Sequence, residues 1–575
     1  MSGETVDVNN NPLGYCSSII VDSLKDTLSK LGIEATEITL EKPPEGKGDF
    51  AFPCFALAKS AKKAPRDIAK EIAENIELID ILEKCESAGP YVNFHIKSEE
   101  LARMTLDAVF SMGDDYGNLP SVGTKIILEH TSANPTDKLH IGRARNPIIG
   151  DTLARILRKA GYDVETQYYV DDMGKQAVTL AYGVHIWDGR PENDDSLGPY
   201  QYASKMVGED QGMEAERDEW LQKLESGDPE VRDKVREACA RVMDEDISDS
   251  LLRINVTVDK YLYESQFVED GSVDSVIERL KSSQYADMED GAEFIDMEPF
   301  TDRQEKFFFI RADGTSLYAT RDIAYHLYKY EHCDEVINIL GEDHKRESEQ
   351  VKIGLQIMGQ EKYPEVIFYS FVSLPEGRMS TRKGKVVFLD DLLSEAHHRA
   401  LEEVRTRRDD VDETRISEIA RSVALGAVRY NIVRVQPEKK MVFKWEDALN
   451  FEGASAPFIQ YSHARACSIL RKSGEEEYES YNSEVLSHPS ERAFIMEMAG
   501  FPEAIFQCAH KRSPHLIASY AYSLASVFNQ FYRDCPVLAC EDEQLKMSRL
   551  ALVSAGKKVL RNALFCLGID APEEM

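Results

Sequence analysis

Between residues 124 and 170 the chain reads as strand, loop, helix and strand, and this order constrains the fold more than any other feature. The apolar run Ile126-Ile127-Leu128 predicts a buried strand. The segment HTSANPTDKLHIGRARNPIIGD, beginning at His130, leads through a proline-interrupted loop into a helix, and a second strand ends at YYVDDMGKQ. This is a βαβ unit, and at the heart of a long chain it predicts a doubly wound parallel sheet. Unpaired backbone N–H groups and the helix dipole make the start of such a helix a phosphate site. His140 and Arg143, three apart, share its face. Gly142 would let a ligand approach the backbone, and Pro147 predicts a kink.

A second segment, EGRMSTRKGK from Glu376, is a glycine-bounded loop carrying Arg378, Arg382, Lys383 and Lys385 against one acid. A triphosphate leaving group needs such a cluster of cations. Lys546-Met547-Ser548-Arg549 has similar lettering but lies inside an amphipathic helical pattern with no flanking glycine, so it is read as a decoy. Residues 1–110 suggest a small mixed unit, with helical runs at Ile19–Leu31 and Pro65–Leu82 and a strand at GPYVNFHI. A charge-dense, helix-biased stretch from about 176 to 305 reads as an insertion. Alternation resumes at FFFIRADGTSLYATRD and continues through DEVINILGEDH and VIFYSFVSL. After about 410 the pattern is helical, and Gly568 is expected to cap the last helix.

Length and composition restrict the class. The 575 residues predict three or four domains. No apolar stretch approaches the roughly 20 residues that would span a bilayer, and the N-terminus carries no export signal. Ten cysteines without a C-x-x-C pair argue against zinc ribbons and disulfide frameworks, which fits a cytoplasmic protein. A net charge of −34 weighs against a nucleic-acid partner. It describes the whole surface, however, and local basic patches can still bind phosphates.

Taken together, several motifs resemble those of the class I arginyl-tRNA synthetases over nearly the full length. They are His-Ile-Gly-Arg at 140–143, Arg378–Arg382 in the KMSKS frame, SANPT at 132–136 and the Tyr-x-x-x-Asp pattern of Tyr318 and Asp322. GDFAFPCFALAK at 48–59, GPYVNF at 89–94, GASAPFIQYSHARACSILRK from Gly453 and SVFNQFYRDCPVL from Ser526 add to them. The resemblance implies a multidomain α/β protein. A small α+β N-terminal domain that recognises the tRNA elbow is expected at 1–118. A Rossmann-like catalytic domain, with its insertion at about 176–305, is expected at 119–440, and an all-α anticodon-binding bundle at 441–575. It also implies ATP-dependent activation of L-arginine and its transfer to the terminal adenosine of tRNA(Arg). Activation itself is then expected to wait for tRNA.

By the same resemblance, His140, Arg143, Lys138, Ser380 and Arg382 would be catalytic. ATP would meet His140, Gly142, Arg143, Asp343, Arg378, Met379, Ser380 and Lys383. Arginine would need carboxylates for its guanidinium and a ring to stack on, which Glu129, Asp322 and Tyr318 supply. Ser132 and Asn134 would hold the α-amino end, and His140 and His344 would lie nearby. Tyr91, Asn93, Tyr461, His463, Arg465, Asn529 and Tyr532 would face tRNA. Two departures stand out. Arg143 replaces the second His of the first signature, and Thr381 stands where the second signature has its second Lys. Lys138, Arg382 and Lys383 are alternative substitutes for that lysine. Magnesium would arrive with ATP and no protein-built metal site is expected. A monomer without membrane attachment is expected.

Overall fold

Five strands form one parallel sheet at the centre of the chain: β4 (Lys125–Glu129), β5 (Asp163–Val170), β6 (Lys260–Tyr263), β10 (Glu335–Gly341) and β11 (Glu365–Tyr369). Their order across the sheet is β11-β10-β4-β5-β6, and every pairing is parallel. The first strand in sequence is therefore central, and the chain winds outward from it in both directions, as a doubly wound sheet requires. Ile126, Ile127 and Leu128 have no exposed surface, as expected of a central strand covered on both faces. The computed structural model describes residues 10–35, 37–44, 46–187, 198–373, 388–408 and 410–575.

The stretch 176–305 is not one uninterrupted insertion. Helices at Gly174–Ile186, Pro199–Glu209, Gln211–Glu225 and Pro229–Val242 come first, and the chain then re-enters the central sheet as β6. A separate antiparallel sheet follows, made of β7 (Ala286–Glu289), β8 (Ala292–Asp296) and β9 (Lys306–Ile310). The run FFFI therefore belongs to this small sheet, not to the central one. Alternation marks a strand but does not say which sheet it joins.

Near the N-terminus, helices Pro12–Lys30 and Pro65–Asn75 pack with an antiparallel sheet of β1 (Phe50–Pro53), β2 (Leu82–Ala88) and β3 (Tyr91–Ile96) in the order β1-β3-β2. The second helix ends at Asn75, short of the expected Leu82, which opens β2. Arg492 of the C-terminal helices reaches back to Asp49 at 2.8 Å.

The C-terminal part comprises helices Ala456–Ser473, Pro489–Ala499, Phe501–His510, His515–Asp534 and Glu543–Cys566. Gly568, at φ +66°, follows the last helix. The N–H of Ile569 bonds to the Leu564 carbonyl and that of Gly568 to the Phe565 carbonyl, closing a Schellman cap as expected. The decoy motif lies within Glu543–Cys566; Ser548 is buried, and Arg549 pairs with Glu491 at 2.7 Å. Among the described residues no helix is long and apolar enough to cross a membrane.

Candidate active site

A doubly wound sheet binds ligands where strand order reverses, outside the carboxyl ends of the strands. Here that crevice lies between β4 and β10. Beyond β4, a 3₁₀ turn, Ile141–Arg143, precedes the helix Arg145–Lys159. His140 caps the turn, and its Nδ1 accepts the Gly142 N–H at 3.0 Å, which assigns the ring proton to Nε2. Pro147 falls in the first turn of the helix, where no intrahelical partner is required, so it removes no hydrogen bond from the helix. Gly150 is dictated by packing, because a Cβ there would sit 2.4 Å from the Cβ of buried His130.

The residues expected around a nucleotide divide into two groups. Gly142 is buried and Arg143 half-buried beside the His140 turn. Asp343 and His344 belong to a 3₁₀ turn, Glu342–His344, directly after β10, so they stand at the same crevice. His344 Nδ1 meets Glu347 at 2.8 Å, and this hydrogen bond raises the imidazole above its ordinary range. Lys138 is exposed; the adjoining Asp137 accepts the Lys138 N–H and a bond from Gln201. Arg378, Met379, Ser380, Thr381, Arg382 and Lys383 lie outside the described residues. The segments flanking them are anchored at the site. β12 (Val372–Ser373) pairs with β13 (Met441–Val442), and Phe388 bridges to His140.

Across the crevice, Tyr318 opens the helix Tyr318–His332 and Asp322 lies one turn further along it. Asp322 lies 3.1 Å from His326. Burial alone would raise its pKa, but the neighbouring His326, with Lys329 and His344 adding to it, holds the carboxylate below its ordinary range. A cavity of about 610 Å³ opens here, lined by Asp322, His326, Asn338, Leu340, Lys345 and Phe368 among others. Tyr318 is 41% exposed, and the Arg321 guanidinium lies 5.0 Å from the centre of its ring. The ring thus already carries a guanidinium on one face.

Glu129, expected as a guanidinium partner, already meets a cation of the chain itself. Its Oε2 is 2.6 Å from the fully buried Lys329 ammonium, and its Oε1 accepts the Ser132 hydroxyl at 2.8 Å. Glu129 thus ties Lys329 to the loop that carries Ser132. The Ser132 hydroxyl also accepts the Tyr169 N–H at 3.1 Å, and Asn134 donates to Gln176 at 2.6 Å.

Sequence reasoning missed an acidic recess beside Tyr318. Glu264 follows β6 directly. One of its oxygens pairs with Arg321 at 2.7 Å; the other, Oε2, is buried with no hydrogen-bond partner among the described residues, as is the Tyr169 hydroxyl. Burial, then the adjoining Glu264 carboxylate, pushes Asp171 well above the usual carboxylate range. The one available signal was an acid at the end of the four-residue run KYLY, too short to identify as a core strand.

Two further groups stand away from the crevice. Tyr91 meets Phe55 edge-on, 5.6 Å between ring centres, and Phe55 is 55% exposed. Asn93, expected to face a partner, is instead 3% exposed, and its Oδ1 has no partner among the described residues. In the C-terminal helices Tyr461, Arg465, Asn529 and Tyr532 come together. The Arg465 guanidinium lies 4.7 Å from the Tyr461 ring and 5.3 Å from the Tyr532 ring, and it bonds to Asn529. Two cavities, of about 570 and 660 Å³, border this group, with Arg408, Arg471 and Arg533 on their walls. His463 corrects the expectation of a contact residue. It is 3% exposed and bonds to the Pro572 carbonyl at 2.9 Å, and burial lowers its pKa to about 4.

Comparison with known proteins identifies the family. A family model described as "tRNA synthetases class I (R), catalytic domain" matches residues 106–445. "Arginyl tRNA synthetase N terminal domain" matches 18–96, and "DALR anticodon binding domain" matches 459–575. A Methanocella arvoryzae protein named arginine–tRNA ligase is 46% identical over 560 residues, covering 96% of this chain and 98% of that one. A protein of the same name from Methanothermobacter thermautotrophicus is 45% identical over 565 residues, covering 96% and 98%. Among solved structures, the Thermus thermophilus arginyl-tRNA synthetase superposes with a TM-score of 0.82 at 28% identity, covering 97% of this chain and 100% of that chain. Together with the doubly wound core and its flanking parts, these matches show that the chain belongs to the arginyl-tRNA synthetases of class I.

Proposed function

We infer that the chain ligates arginine to tRNA at the expense of ATP. The arginine carboxylate attacks the α-phosphate of ATP in line and pyrophosphate leaves. The 2′-hydroxyl of the terminal adenosine of tRNA(Arg) then takes the arginyl group and releases AMP. No side chain acts as a nucleophile in this scheme. Rate comes from positioning and from stabilising phosphate charge. His140, Gly142 and Arg143 meet the nucleotide, and Asp343 and His344 flank it. Lys138, Ser380, Arg382 and Lys383 supply the remaining donors. Magnesium enters as the counter-ion of ATP. Asp322 and Glu264 take the substrate guanidinium with Tyr318 stacked on it, and Ser132 and Asn134 hold the α-amino end.

The observation that carries this reading is the division of one crevice. A cationic, helix-start side at His140–Arg143 faces an acidic, aromatic side at Tyr318–Asp322. Residues 1–118 take the tRNA elbow through Tyr91, residues 119–440 carry the chemistry, and residues 441–575 take the anticodon through Tyr461, Arg465, Asn529 and Tyr532. Each site comes from a single chain, so a monomer suffices, acting in the cytoplasm with the translation machinery. The test is Asp322→Ala. Truncating a carboxylate that pairs with a desolvated cation costs roughly 2–5 kcal/mol, so the KM for arginine should rise far more than that for ATP. An unchanged arginine KM would count against this assignment.

A further inference from the structure

The loop after β4 passes through two residues in the left-handed region, Thr131 at φ +73° and Ser132 at φ +33°. A β-branched residue at positive φ is a true outlier, and such strain costs roughly 1–3 kcal/mol unless the surroundings hold it. The Ser132 N–H donates back to the His130 carbonyl at 3.0 Å, closing the rarer and more strained form of γ-turn around Thr131. The side chain that holds it is Asn146, the second residue of the helix Arg145–Lys159 and 6% exposed. Its Oδ1 accepts the Thr131 N–H at 2.8 Å, and its Nδ2 donates to the Ile339 carbonyl of β10 at 2.9 Å. One amide therefore ties together the strained turn, the helix behind His140 and the strand across the crevice. The turn in its strained form aims the Ser132 hydroxyl at Glu129 and the Tyr169 N–H.

We propose that Asn146 is a positioning residue for arginine activation, holding the amino-acid side of the crevice in fixed relation to the nucleotide side. This rests on the reading that Ser132 and Asn134 face arginine while His140 faces ATP. In-line attack needs the two reactants within about 3–3.5 Å, and a displacement of about 1 Å costs on the order of a hundredfold in rate. Without the clamp, the threonine relaxes out of the left-handed region and carries Ser132 with it. A glycine at 131 has no such preference to escape.

The test is a double-mutant cycle read by arginine-dependent pyrophosphate exchange in the presence of tRNA. Asn146→Ala should lower kcat by about 10- to 100-fold while the KM for ATP stays within about threefold. In a Thr131→Gly background the same substitution should cost several-fold less. Thermal unfolding of all four proteins separates loss of fold from loss of geometry. If Asn146→Ala does not fold, Asn146→Leu, which fills the same space but offers no acceptor for the Thr131 N–H, is compared in the two backgrounds and should lose less in the glycine one. An equal loss of kcat in both backgrounds, or a lowered Tm with unchanged kcat, would overturn the clamp while leaving the function intact. Absence of arginine-dependent exchange by the unmodified enzyme would overturn both.

Discussion

Individual side chains account for the chemistry and for part of the acid sensitivity. In the proposed mechanism His140→Ala removes a preorganised donor beside the phosphates, and such a loss typically lowers turnover by about 10²–10³, or roughly 3–4 kcal/mol. A folded variant with near-unmodified aminoacylation would refute that role. His130 and His463 are buried, and burial lowers each pKa to about 4. A depressed folded-state pKa gives stability that is complete above the unfolded value of about 6.5 and is lost as pH falls through the folded one. Unfolding stability should therefore decline between about pH 6.5 and 4, by up to roughly 3 kcal/mol per histidine. His463→Gln should flatten this decline in denaturant titrations at stepwise pH; an unaltered slope would remove His463 as a cause. At this scale the sequence was informative where a motif set residues at helical spacing, as for Tyr318 and Asp322, which fall on one helix. It was silent where the partner came from afar. Glu129 is 200 residues from Lys329 and Glu264 is 57 from Arg321, and nothing local to a carboxylate says that a distant cation will neutralise it.

Among elements, a heavily bonded junction joins the helix behind His140 to the C-terminal part. Arg429, on the helix Glu413–Val433, is fully buried. It donates to Asp151 at 2.5 Å, to the Leu567 carbonyl at 2.6 Å and to the Ile254 carbonyl at 2.5 Å. Breaking a buried pair by removing one partner leaves an uncompensated charge and costs roughly 3–5 kcal/mol. Arg429→Met should therefore lower Tm substantially. Gly568→Ala should do so too, since its Cβ would fall 2.2 Å from the Arg429 guanidinium at a φ of +66°. Stability within about 0.5 kcal/mol of the unmodified protein would argue that this junction is dispensable. The sequence made the long elements legible because their periodicity repeats: the βαβ unit, the helical run after about 410 and the last helix, ended by Gly568, fall where expected. β6 was missed because four residues between charged segments carry almost no period, and its sheet membership depends on β5, some 90 residues earlier.

For the whole molecule, net charge was the strongest argument against an RNA partner, and the arrangement of charge answers it. Arg407, Arg408, Arg465, Arg471, Lys472 and Arg533 line the walls of the two adjoining C-terminal cavities against Asp410, Glu452, Glu573 and Glu574, a local excess of cations despite the total of −34. An interface that neutralises phosphates releases counterions, so tRNA affinity should fall steeply between about 50 and 200 mM salt. A salt-independent affinity would contradict a phosphate-dominated interface. The tRNA also has a physical route to the chemistry, because a ligand shifts an equilibrium by its differential affinity for two states, and the C-terminal part meets the helix behind His140 through Arg429. The most direct measurement is pyrophosphate exchange across the twenty amino acids, with and without tRNA(Arg). The account predicts exchange with arginine alone, negligible without the tRNA and clear once it is added. Exchange driven by a different amino acid, or none with arginine even when tRNA(Arg) is present, would contradict it.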